Sequence, residues 1–206
     1  YVLFCSSFFD LKAVFCVGGI LGYSTQTMSE CYNENSSITV NGTYDAALYV
    51  GGMLGYGTKI NSLTNNCSVT ISSTAKLKGL LMGGAAGYVA DGSTGASNNA
   101  AVTFEGTVDM TDFGDGTNAK GCSFFSIGGV IGRGSGAVKN CTNNATGTVS
   151  VGGKFTAALD GKYGYTTIGG TAGTLSSGAH SGLSNYATVN ISSTIPNASW
   201  NEEPFT

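Results

Sequence analysis

Apolar and polar residues alternate along this chain in short runs that end in glycine, serine or asparagine, and no stretch carries the three-to-four spacing of a helix. In "NYATVNI", from Asn185, the residues Ala187, Val189 and Ile191 fall on one side of an extended chain. Tyr186, Thr188 and Asn190 fall on the other. Such alternation predicts strands with one face buried and one face wet. Runs such as "LKAVFCV", "DAALYV" and "KLKGLLM" predict further strands, each stopped by a glycine pair.

These strands recur. A hydrophobic-Gly-Gly-hydrophobic-hydrophobic-Gly pattern occurs as "VGGILG" (17–22), "VGGMLG" (50–55), "MGGAAG" (82–87), "IGGVIG" (127–132) and "IGGTAG" (168–173), at spacings of 33, 32, 45 and 41 residues. The doublets are Gly18 and Gly19, Gly51 and Gly52, Gly83 and Gly84, Gly128 and Gly129, and Gly169 and Gly170. Ten to twelve residues after each final glycine comes an asparagine, Asn33, Asn65, Asn98, Asn143 or Asn185, opening another short strand. A single unit of this kind cannot bury its own apolar face, whereas copies stacked in register share a continuous core. The expected fold is therefore all-β, a parallel β-helix or β-solenoid of about five rungs over residues 1–195, a rod of ~24 Å. Glycine is expected at stacked corners because a Cβ would forbid a positive φ or strike the next rung. The asparagines are expected to form a column of amides that satisfies turn carbonyls. Extra residues around Ser37 and Gly147 read as bulges that keep the columns aligned.

The five glycine motifs with their asparagine strands resemble the GLUG repeat over roughly residues 10 to 191. GLUG repeats are glycine-rich units of extracellular surface proteins. The resemblance implies a surface or adhesin-like protein of β-helical form, and it implies no catalytic residues.

Composition narrows the partners. Charged residues make up 10% of the chain, glycine supplies 33 residues, the net charge is −3 and Arg133 is the single arginine. That leaves no basic surface to displace counterions from nucleic acid. The longest apolar stretch, "LKGLLMGGAAGYVA", is broken by glycines and short of a bilayer span, so no transmembrane segment is expected. The opening "YVLFCSSFFDLKAVFC" lacks a basic leader region, which reads as a leader already removed or as a piece of something longer.

Six cysteines without a CxxC spacing point to an oxidising compartment. Seven Asn-x-Ser/Thr sites, at Asn35, Asn41, Asn66, Asn140, Asn144, Asn190 and Asn197, point the same way, towards a secreted glycoprotein carrying covalent N-glycans. Cys31 and Cys67 sit on opposite sides of their asparagines, an in-register offset of about 13 Å, which excludes a disulfide between them. Pairing of Cys5 with Cys16, or of Cys122 with Cys141, stays open.

Candidate chemistry is sparse. A phosphate cradle needs a Gly-x-Gly-x-x-Gly loop or a following Lys-Ser/Thr at the start of a helix, and "GGVIG" offers neither. His180 is the only histidine and reads as a turn residue. Asp109, Asp112 and Asp115 share the glycine-rich segment "VDMTDFGDGTN", a candidate Ca²⁺ loop without EF-hand spacing, for which a solvated loop is the simpler reading. Tyr23, Tyr56 and Tyr88 follow the last glycine of three successive motifs and predict a tyrosine column. Phe15 and Phe125 share the parity of the buried positions and read as core. Residues 196–206, with Pro196, Pro204 and two glutamates, break the repeat and read as a cap or linker. The chain opens inside a rung, which invites further rungs or a neighbour's strand. The expected protein has no cofactor and no enzymatic activity: a structural subunit of a surface filament or coat, or an adhesin, associating with itself or with other extracellular proteins. The rival is a carbohydrate-binding or polysaccharide-cleaving β-helix, whose chemistry would call for a carboxylate pair.

Overall fold

The computed structural model describes residues 3–4, 14–109, 124–156 and 165–193, and every regular element among them is a β-strand. The strands form four sheets, parallel throughout except where Leu3–Phe4 runs antiparallel to Val14–Gly18. Among the described residues no helix is long and apolar enough to cross a membrane. The carboxy-terminal stretch read as a cap or linker, 196–206, lies outside the described residues.

The repeats contribute to the sheets in the same order, except that the first reaches the third sheet only through the single bridge of Tyr32 with Thr64. The strand that ends in the glycine doublet, Thr43–Gly51 in the second repeat, lies in the first sheet. The strand after the doublet, Leu54–Asn61, lies in the second sheet, and the asparagine strand Thr64–Asn65 in the third. The alternating strand Cys67–Ile71 lies in the fourth. Pairing is always with the equivalent strand of the neighbouring repeat. In the fourth sheet the sequence Ser36–Val40, Cys67–Ile71, Val102–Phe104, Val149–Val151, Val189–Ile191 follows repeat order.

The unequal repeat spacings come mainly from one point of the unit. Lys76–Gly83 is continuous, but the matching strand of the fourth repeat is split into Thr107–Asp109 and Phe124–Gly128, and that of the fifth into Lys154–Thr156 and Tyr165–Gly169. Both insertions therefore fall at the same point of the unit, and the columns on either side keep their register. The bulges expected around Ser37 and Gly147 are not in the strands. Ser36–Val40 pairs with Cys67–Ile71 without a shift, so the additional residue lies between Asn33 and Ser36. Near Gly147 the extra residues make a tight turn, closed by the Gly147 N–H to Asn144 carbonyl bond at 2.8 Å, ahead of Val149–Val151. Extra length is cheaper in a solvated turn than inside a paired ladder. Register shifts do occur between Ser24 and Thr27 and between Tyr44 and Ala47.

Two apolar cores result. Leu48, Leu80, Met82 and Phe125 of the first sheet pack with Ile71, Phe104 and Val149 of the fourth. The rings of Phe104, Phe125 and Phe155 cluster here at centroid separations of 4.8–6.1 Å. Leu54, Ile60, Val89 and Ile131 of the second sheet form the other core with Leu63, Ala96 and Cys141. The alternation expected after each asparagine is realised in Cys67–Ile71, where Cys67, Val69 and Ile71 are buried and Ser68 and Thr70 partly exposed. In the last copy, "NYATVNI", Ala187 is buried but Val189 and Ile191 are exposed, because Val189–Ile191 pairs on one side only.

Candidate functional site

Between the two cores the doublet glycines meet the asparagines. Gly18, Gly51, Gly83, Gly128 and Gly169 are mutual partners in the strand register. The second glycines bond in series, with N–H to carbonyl distances of 3.1 Å from Gly19 to Gly52, 2.7 Å from Gly52 to Gly84 and 3.1 Å from Gly84 to Gly129. None of these doublet glycines has a positive φ. Space is the reason for glycine: a methyl group on Gly84 would overlap the Asn98 carboxamide and the Gly129 carbonyl, and Gly52, Gly129 and Gly170 stand in the same relation to Asn65, Asn143 and Asn185. Glycine and asparagine are thus one device, a side chain of one wall filling the space left by a missing side chain of the other.

The five asparagines form a continuous amide ladder. Each Nδ2 donates to the next Oδ1, from Asn33 to Asn65 (2.8 Å), Asn98 (2.7 Å), Asn143 (2.9 Å) and Asn185 (3.0 Å). Asn65, Asn98 and Asn143 are fully buried, at 0% exposure. The second N–H of each closes its own turn, on the carbonyls of Cys67, Ala100 and Gly147 at 2.7–2.8 Å. Oδ1 of Asn65 and Asn98 also accepts the backbone N–H two residues on. Both donors and both acceptor positions of Asn65 and Asn98 are therefore occupied inside the chain, the condition under which a buried amide is stable. A second, half-buried row runs beside it with opposite polarity: Asn144 donates to Asn99 (2.6 Å), Asn99 to Asn66 (2.9 Å) and Asn66 to the Asn33 carbonyl (2.8 Å). Opposed amide dipoles in adjacent rows offset one another.

Three residues before each ladder asparagine lies a corner that sequence reasoning missed. Glu30, Ser62, Gly95, Asn140 and Gly182 have φ of 53°, 53°, 69°, 51° and 64°. Neighbouring pairs hold these positions in register, Ser29 with Asn61, Asn61 with Thr94, Thr94 with Lys139 and Lys139 with Ser181. The signal was present as a shared offset from the asparagine, followed by an apolar residue at Cys31, Leu63, Ala96, Cys141 and Leu183. It was hidden because glycine fills only two of the five positions.

On the outer side of the corner between the first and second sheets, Tyr23, Tyr56 and Tyr88 are register partners. The rings of Tyr23 and Tyr56 stack at 5.0 Å and 14°, and Tyr88 meets Tyr56 edge-on at 5.3 Å. Tyr49 packs against both Tyr56 and Tyr88. The column continues with Arg133, whose guanidinium lies 5.8 Å from the Tyr88 ring centroid. In the last repeats hydroxyls replace the rings: Ser126 Oγ donates to the Gly132 carbonyl at 2.7 Å and accepts from Thr167 at 2.8 Å, and Thr167 and Thr174 are 2.6 Å apart. Because ring faces meet one another or Arg133, this column packs as an aromatic ladder and not as a row of open sugar-stacking faces.

Other candidates are dispersed. Asn35, Asn41, Asn140 and Asn190 are exposed, Asn66 and Asn144 are tied into the outer amide row, and Asn197 lies outside the described residues. Asp109 ends a first-sheet strand opposite Thr156, while Asp112 and Asp115 lie outside the described residues. Among the described residues no group of three His, Cys, Asp or Glu side chains converges to hold a metal ion. His180 sits on an exposed turn, where its Nδ1 accepts the Val138 N–H at 3.3 Å. Cys31 and Cys67 are free thiols, and the pairing of Tyr32 with Thr64 and Ser36 with Cys67 keeps them at separate register positions. Cys16 is buried, and Cys141 Sγ is buried 3.3 Å from Ser93 Oγ. The partners considered for them, Cys5 and Cys122, lie outside the described residues. No family model matches this chain, and neither a curated protein nor a solved structure is similar to it.

Proposed function

We propose that the protein is a non-enzymatic, extracellular module whose four sheets are the walls of one parallel β-solenoid of about five rungs. In this reading it is a glycosylated structural subunit of a surface filament, coat or adhesin, of the kind the GLUG resemblance implies. The observation that carries the proposal is the internal saturation of its most ordered polar feature. Five repeats maintain a buried amide ladder whose inner members spend their hydrogen bonds on one another and on their own turns. Repetition of this kind supplies stiffness and a regular exterior. The low charge, the exposed sequons and the aromatic ladder agree with an exterior built for packing and glycans.

Purification from its native source with intact-mass measurement before and after glycosidase treatment, together with immunoelectron microscopy, tests the proposal. A mass loss on treatment and label on an extracellular layer or fibre are expected. An unmodified mass with label confined to the cell interior would overturn it. Hydrolysis of a polysaccharide by the purified protein would transfer the case to the rival reading.

A further inference from the structure

The fifth repeat forms an edge of all four sheets: Tyr165–Gly169, Ala172–Leu175, Ser184–Asn185 and Val189–Ile191 each pair on one side, with the fourth repeat. Among the described residues, its fourth-sheet members of the buried columns are exposed, while Thr171 and Ala187 stay buried. Val151 and Val149 are 1% and 0% exposed, whereas their register partners Ile191 and Val189 are 57% and 36% exposed. Natural edge strands are commonly guarded by charge, yet residues 165–193 contain no Asp, Glu, Lys or Arg. The first repeat presents a complementary apolar edge through Ile20, Leu21 and Tyr32.

The ladder has a direction. At one end Asn185 donates to the Ala187 carbonyl and retains a second N–H; at the other, Asn33 Oδ1 accepts the Asn66 N–H and retains an acceptor position. We propose that the fifth repeat of one molecule docks on the first repeat of a second copy, head to tail, with Asn185 continuing the ladder into the neighbour's Asn33. This rests on the structural-module reading above and specifies its partner. In register, Ile191 meets the neighbour's Val40, Val189 meets Ile38, and Ala172 meets Leu21, extending columns already built inside each chain. The antiparallel strand Leu3–Phe4 occupies part of the first-sheet edge, so the second, third and fourth sheets carry the contact. A two-fold arrangement of two fifth repeats would instead set donor against donor and run the edges antiparallel. A heterologous contact that continues the ladders along one direction repeats without a closing rotation and grows into a filament.

Sedimentation of the full chain and two exposed-site variants is decisive. Wild type should form open-ended oligomers whose mean size rises with concentration. Ile191→Lys and Leu21→Lys, each spoiling one end, should each weaken self-association by at least about tenfold. Their equimolar mixture should give one-to-one heterodimers that do not grow, because each variant keeps one intact end. Val189→Lys replaces Ile191→Lys if that variant melts early. A monodisperse wild type, dimers formed by Leu21→Lys alone, or a mixture that remains monomeric would each overturn the head-to-tail contact. Glycans on a wild type that stays monomeric would sink this contact while leaving the module reading intact.

Discussion

Asn98 sits at the centre of the ladder and holds four hydrogen bonds, two given and two received. Asn98→Leu conserves volume but strands the Asn65 donor, the Asn143 acceptor and the turn groups at Ala100. Each unsatisfied buried group costs about 1–3 kcal/mol, so a loss of at least about 3 kcal/mol is expected in urea unfolding. Gly84→Ala should cost about 2 kcal/mol or more by overpacking against Asn98. The two sites share one space, so a double-mutant cycle between Gly84→Ala and Asn98→Ala should show a coupling above about 0.5 kcal/mol; additive effects would disconnect them. A gentler test concerns the left-handed corner. Ser62, exposed at φ 53°, adopts a conformation that disfavours a Cβ by about 1–2 kcal/mol, against a smaller entropic penalty for glycine. Ser62→Gly should raise the melting temperature and Ser62→Val should lower it, since a β-branched side chain tolerates that corner worst.

At the scale of elements, stability resides between equivalent strands of successive repeats, and the tyrosine column is the clearest case outside the two main cores. Tyr56 contacts Tyr23, Tyr49 and Tyr88. Tyr56→Ala should destabilise by about 3 kcal/mol and diminish the near-ultraviolet circular dichroism of the tyrosines, while Tyr56→Phe should cost far less because the stacking survives. Equal losses for the two substitutions would assign the effect to the hydroxyl. The glycine doublets, the asparagine columns and the period-two strand of the fourth sheet were all legible, because stacking forces the same residue type to recur at each copy. The division of the interior into two cores was not. Both are lined by the same aliphatic residues, and only the approach of Gly84 to Asn98 shows where one ends and the other begins.

For the whole molecule, repeats that contact only their neighbours predict a gradient of local stability. Amide exchange should be slowest in Cys67–Ile71 and Val102–Phe104, each paired on both sides, and fastest in Ser184–Asn185 and Val189–Ile191, paired on one side. Uniform protection across the five repeats would contradict nearest-neighbour stabilisation. If molecules join head to tail, protection of Val189–Ile191 should also rise with concentration. Every parallel pairing in these sheets joins residues at least thirty positions apart, so refolding should be slow by the measure of contact order.

The one-dimensional pattern determined the strands, the five units, the equivalence of their glycines and asparagines, and the all-β parallel character, because each follows from local periodicity and from identity between copies. The folded chain alone decided why the glycines are needed, which was room for an amide and not a positive φ. It decided also that a positive φ recurs three residues before the ladder asparagines, including at Glu30 and Ser62, whose residue types give little warning of it. It set the opposite directions of the two amide rows and left Val189 and Ile191 exposed among the described residues. These depend on what stands across a space of a few ångströms from residues tens of positions away, and alternation along a strand carries no record of that distance.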